Sequence, residues 1–249
     1  MSKTIMVVGS APNAKLVPSD HIYFANFSAV VFAPETLPET GAKTTTVCAA
    51  SAYFFDQFPD LYTEEPDPEK PRKNTFRSMQ DRLDRLKAAP VDETLAFSHK
   101  DKYLDGLPAE KSEARLVPPQ EVFDSFAAMG LTRDLRWPLP VLKEARASGQ
   151  KIPRKDMSSF LKEFFWKRPA LFYSSGYFRP SSGLTTMAIA MATHGPEARY
   201  LISGLTFENR SGYSTGIAAD AKVQTTSKHT IIDRLLMEKI RERYAVEFI

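Results

Sequence analysis

Apolar residues fall along this chain in short continuous runs, separated by stretches of helical period. The run Thr4–Val8 is the first, closing on Gly9-Ser10-Ala11-Pro12-Asn13. It predicts a buried strand followed by a tight turn. Residues 22–26 and 30–32 read as further strand pieces, with Asn26 at an exit, and the β-branched 44–48 as another. A short helix is expected over 52–58. Residues 59–74 hold Pro59, Pro66, Pro68 and Pro71 and read as a loop. Met79, Leu83 and Leu86 recur at helical spacing among charges, predicting a surface helix over 76–87 with one buried stripe. Residues 94–97 and 114–117 are strand-like, and Pro118-Pro119-Gln120-Glu121 opens a helix that Gly130 stops.

The second half has a different texture. Trp137-Pro138-Leu139-Pro140 reads as extended. Residues 160–168 form an aromatic and basic amphipathic helix ended by Pro169. Its aromatic face suits packing on the core first; the sharper alternative is a lid over an acceptor site or a patch touching a membrane surface. Then comes Arg179-Pro180-Ser181-Ser182-Gly183, a turn opening onto an apolar helical run over 184–193, followed by a strand over 200–204. Ser227-Lys228-His229 precedes a terminal helix whose apolar stripe is Ile231, Ile232, Leu235, Leu236 and Ile240. A last strand follows at Ala245–Phe248. The β-α alternation argues for an α/β fold, with a mostly parallel central sheet and helices on both faces. One Rossmann-like domain over residues 1–249 accommodates the whole pattern, with 132–177 as an inserted acceptor-side lid.

Composition changes this picture little. With 249 residues, 43% of them hydrophobic, the chain can bury one large core. A formal charge of +3 is far short of a nucleic-acid footprint. Cys48 is the lone cysteine, so no internal disulfide forms. No N-terminal signal pattern and no apolar run near the roughly 20 residues that span a bilayer are present. The expectation is a soluble cytoplasmic protein, at the inner face of the membrane if residues 160–168 meet lipid.

The absences narrow the chemistry. No Asp-x-Asp metal pair, Gly-x-x-x-x-Gly-Lys phosphate loop, Gly-x-Ser-x-Gly elbow or His-Glu-x-x-His occurs. A phosphate would be held by backbone N–H groups, hydroxyls and arginines, as the Ser181-Ser182-Gly183 turn at a helix N-terminus allows. The same turn read blandly is a capped helix. His229 stands near a second helix N-terminus, where the dipole favours the neutral, base-competent imidazole. Arg179 or Arg210 suits a sugar carboxylate, and either serves equally well as a solvated surface charge.

The order of the pieces resembles the bacterial sialyltransferases that build lipooligosaccharide outer cores. The shared features are a Gly-x-x-Pro loop after the first strand, Asn at the end of the second, and Ser-Ser-Gly-x-x-x-x-Ala-Ile-Ala. Tyr-Leu-x-Ser-Gly-x-x-Phe and Ser-Lys-x-Thr complete the set. The chain is more faintly similar to the small sialyl motif of animal sialyltransferases. The match is clearest over 178–238, looser over 4–58, and absent over 59–175. The resemblance implies a GT-A-variant fold and inverting, metal-independent transfer of an acid sugar from a CMP-activated donor to a glycan, with no cofactor. Sialic acid is the first-choice donor and CMP-Kdo the close rival; a non-catalytic CMP- or glycan-binding relative is the reading from another class. It implies donor contacts at Gly9, Ser10, Asn13, Asn26, Ser181, Ser182, Gly183, Gly204 and Tyr213. It implies a general base at His229, although the family's histidine precedes Ser-Lys, where this chain has Thr226. Two further departures stand out: a donor-contacting asparagine falls near Ala50 or Ser51, and a phosphate-holding tyrosine is replaced by Glu208.

Overall fold

A computed structural model of the chain describes residues 2–11, 14–31, 41–58, 76–99, 104, 107, 114–131, 138–154, 156–158, 161, 178–205 and 229–249. Seven strands form one sheet: β1 (Thr4–Val8), β2 (His21–Ala25), β3 (Lys43–Ala49), β4 (Glu93–Phe97), β5 (Arg115–Val117), β6 (Arg199–Ser203) and β7 (Ala245–Phe248). Their order is β5-β4-β3-β2-β1-β6-β7, and every pair is parallel. The α/β fold expected from the pattern is therefore present, with an all-parallel sheet. Strands of such a sheet are covered on both faces, which is why β1 and β2 are apolar runs without a polar side.

Among the described residues, helices flank the sheet: the single turn α1 (Ala50–Tyr53), α2 (Phe76–Ala88), α3 (Pro119–Ala128), α4 (Pro138–Ala147), α5 (Ser182–His194) and α6 (Thr230–Arg241). The period of two sorts the strand residues between two cores. Ile5, Val7, Tyr23, Val47 and Phe97 face α3, α5 and α6. Met6, Val8, Phe24, Cys48 and Ala96 face α1 and α2. Helix α5 lies at the centre of the first layer and buries nine consecutive residues, Gly183 through Met191. Its Thr185 and Thr186 hydroxyls satisfy themselves on the carbonyls of Ser181 and Ser182. The stripe expected on α2 is buried as well.

Three local expectations are corrected. Residues 28–31 form a 3-10 turn rather than a strand, because the chain leaves β2 through Asn26 at φ 56 and the Ser28 hydroxyl donates to the Val8 carbonyl at 2.9 Å. Residues 52–58 split into α1 and a 3-10 turn, Phe55–Gln57. The Pro138-Leu139-Pro140 segment opens α4 instead of running extended. Both prolines sit in its first turn, where no intrahelical acceptor awaits their missing N–H groups. Of the expected lid, α4 packs Val141 and Ala145 into the core beside α6. In residues 160–168 only Leu161 is described, and it is exposed; Ile152 and Met157 of the expected lid also pack against the core, whereas residues 59–75, 132–137, 155, 159–160 and 162–177 lie outside the described set. No helix among the described residues is long and apolar enough to cross a membrane.

Candidate functional site

The strand order places a switch point in the sheet. From β1 the chain builds outward through β2, β3, β4 and β5, then returns to lay β6 on the opposite side of β1. Open α/β sheets bind ligands outside the carboxyl ends of the strands at such a reversal. Gly9 leaves β1 here and Gly204 leaves β6. The Gly9 N–H donates to the Ser203 carbonyl at 2.7 Å, and the Ala11 N–H to the Gly204 carbonyl at 3.0 Å. A Cβ on Gly9 would stand 2.2 Å from the Gly204 oxygen, so side chains are excluded where the two exits touch. The buried Ser203 hydroxyl accepts the Lys15 N–H at 2.8 Å, holding the loop after Gly9, and with it Ser10, over the end of β6. Asn26 ends β2 at the same edge, its N–H donating to Val47 at 2.8 Å. Ala50 and Ser51 follow β3 there, in α1.

Helix α5 points its N-terminus at this junction. Ser181 is the N-cap, its hydroxyl accepting the Leu184 N–H at 3.2 Å. Gly183 packs against the Leu205 side chain, which also touches Gly9. The N–H groups of Ser182 and Gly183 have no acceptor among the described residues. Two outward donors at the positive end of a thirteen-residue helix make an anion site of the kind that phosphates occupy.

The first turn of α6 closes the site. His229 is its N-cap residue, and Nδ1 lies 2.6 Å from the Arg179 carbonyl oxygen. A carbonyl only accepts, so the hydrogen resides on Nδ1 and the neutral ring keeps its lone pair on Nε2. One turn on, Asp233 accepts the Ser181 N–H at 2.9 Å. Its carboxyl is 4% exposed. Burial pushes it up to about 7, against the opposing pull of the Ser181 hydroxyl and N–H. Asp233 is the site residue that the motifs do not single out.

Gly9, Ser10, Asn26, Arg179, Ser181, Ser182, Gly183, Gly204 and His229 thus share one edge of the sheet. Asn13, Tyr213, Glu208 and Arg210 lie outside the described residues. Among the described residues no group of three His, Cys, Asp or Glu side chains is placed to hold a metal.

A cavity of about 590 Å³ opens at the opposite, amino-terminal ends of the strands, lined in part by Lys3, His21, Tyr23, Lys43 and His194. Its polar groups are largely engaged with one another. His21 Nε2 lies 2.8 Å from the Thr45 hydroxyl, and His194 Nε2 lies 3.2 Å from His21 Nδ1 and 3.1 Å from the Tyr23 hydroxyl. Burial, reinforced by His194, pushes His21 down to about 4, and burial likewise lowers His194. This cluster is a neutral polar plug under the C-terminal end of α5. No family model, curated protein or solved structure matches the chain.

Proposed function

We propose that this chain is an inverting glycosyltransferase that moves an acid sugar, sialic acid as first choice, from a CMP-activated donor to a glycan hydroxyl. One observation carries the reading: an imidazole whose Nδ1 is tied to the Arg179 carbonyl stands beside the open N-terminus of α5 at the sheet's switch point. An acceptor hydroxyl is a poor nucleophile, and Nε2 of His229 takes its proton as the new bond forms. The anomeric carbon passes through an oxocarbenium-like state while the bond to CMP breaks. The charge gathering on the departing monophosphate meets the N–H groups of Ser182 and Gly183. That single phosphate calls for no metal in this reading, and Arg179 or Arg210 receives the sugar carboxylate. The reaction is assigned to the cytoplasm.

Thermal-shift measurements with CMP, UDP, GDP and NAD test the nucleotide: CMP should stabilise the protein most, and no CMP shift would sink the reading. The chain should then hydrolyse CMP-sialic acid, or CMP-Kdo if that rival is the donor, and EDTA should leave the rate unchanged. His229→Ala should lower turnover by about 10²- to 10⁴-fold with CMP still bound. CMP binding without hydrolysis of either donor would favour a non-catalytic binding protein, the reading to which Glu208 and the shifted place of His229 lend support.

A further inference from the structure

The first turn of α6 grips the segment that leads into α5 at two points. His229 Nδ1–H donates to the Arg179 carbonyl, and the Ser181 N–H donates to Asp233. Pro180 stands between the two gripped residues, and its fixed φ leaves this short link little freedom. Asp233 is itself anchored to the histidine, its N–H closing the helix onto the His229 carbonyl at 2.9 Å. The result is a closed loop of contacts: His229, Arg179, Pro180, Ser181, Asp233 and back to His229.

Asp233 shares its face of α6 with Met237 and Ile240, all buried. A buried carboxyl without partners is costly, and this one is held by the Ser181 N–H. Its carboxylate oxygen takes the Ser181 N–H while the imidazole holds the Arg179 carbonyl, so the hold of Asp233 on that carbonyl passes through the Arg179–Ser181 link.

We propose that Asp233 is a positioning residue for His229: by holding Ser181 it keeps the Arg179 carbonyl against Nδ1 and fixes the tautomer whose Nε2 accepts a proton. The catalytic meaning of this rests on the glycosyl-transfer reading, whereas the tautomer does not. Loss of the carboxyl releases the Ser181 N–H while its hydroxyl and carbonyl still cap α5; the Arg179 carbonyl on the N-terminal side of that N–H then drifts, and the imidazole hydrogen distributes over both nitrogens.

The test is ¹⁵N NMR of the imidazole nitrogens in the full-length chain at about pH 8, where an ordinary histidine is neutral. With four histidines in the sequence, His229→Ala identifies the relevant signals by subtraction. The parent chain should show a protonated Nδ1 and an unprotonated Nε2. Asp233→Asn keeps the shape and an oxygen for the Ser181 N–H, and should keep that pattern. Asp233→Ala should shift both nitrogens toward averaged values. It should also lower kcat for CMP-sugar hydrolysis by about tenfold or more while KM changes by less than about threefold. Asp233→Leu, which matches the surrounding apolar face, takes the place of Ala if that variant does not fold. An unchanged His229 tautomer in a folded Ala or Leu variant overturns the proposal, as does an equal loss in Asp233→Asn. A parent chain that ignores CMP would sink the proposed function and leave the tautomer comparison standing, so the two failures are distinguishable.

Discussion

Gly204 carries two constraints at once. Its φ of 65 lies in the left-handed region, and a Cβ there would stand 2.5 Å from Ala14 Cβ and 2.9 Å from the Gly9 oxygen. Gly204→Ala should therefore destabilise the protein by about 2–4 kcal/mol, read as a lowered denaturant midpoint. If the proposed function holds, it should also weaken CMP binding, since it pushes the β1 exit away from β6. The glycine is legible in the sequence as a strand end, but the crowding that requires it depends on Gly9, 195 positions earlier. Asp233 shows a different limit. In the sequence it reads as an ordinary first-turn acid that suits the helix dipole. The signal that marks it as buried is its place on the apolar stripe, three residues before Leu236 and seven before Ile240. His229 was legible as a residue at a helix start, whereas its tie to the Arg179 carbonyl joins segments that no local pattern connects.

At the level of elements, strands and central helices follow from hydrophobic period because burial on both faces leaves little choice of residue. The corrected segments are those where a single backbone feature overrides that period. Val30 sits in an apolar stretch that suits a strand, yet the left-handed turn at Asn26 and the Ser28 bond to Val8 have already ended β2. Two prolines disguise the start of α4, since proline is unfavourable in a helix interior and acceptable in its first turn. Helix α6 gives the element-scale prediction. Ile232 is fully buried, and Ile232→Ala should cost about 2–5 kcal/mol in urea denaturation. Two positions on, Arg234 pairs with Glu144 of α4 on the surface. Arg234→Ala should cost no more than about 1 kcal/mol, because both side chains remain in solvent. Equal costs at the two positions would mean that α6 is not docked by its apolar stripe.

The molecule as a whole holds two buried groups whose titrations oppose each other. The unfolded chain takes a proton on His21 near its ordinary value of 6.5, one that the folded chain refuses until about 4; acidification across that window favours unfolding. Asp233 works in the reverse sense. The folded chain keeps its proton up to about 7, whereas an exposed carboxyl releases it near 3.8. Stability from Asp233 is thus complete below about 3.8 and is lost as the pH rises to about 7. Between roughly 4 and 6.5 the Asp233 slope opposes that of His21, with His194, also held down by burial, on the side of His21. Asp233→Asn should expose the His21 slope, its melting temperature falling more steeply than the parent's as pH drops from 6.5 toward 4. A variant as flat as the parent would refute the pairing. The sheet order also has a consequence in time. Strands β1 to β5 pair between neighbours in sequence, but β1 meets β6 through Ile5 and Tyr200, almost the full chain apart. A nascent chain emerging from its ribosome can therefore assemble one wing of the sheet early, while the switch-point edge beside β1 waits for β6 and α6 to arrive. The proposed site is complete only after β6 and α6 have both been made.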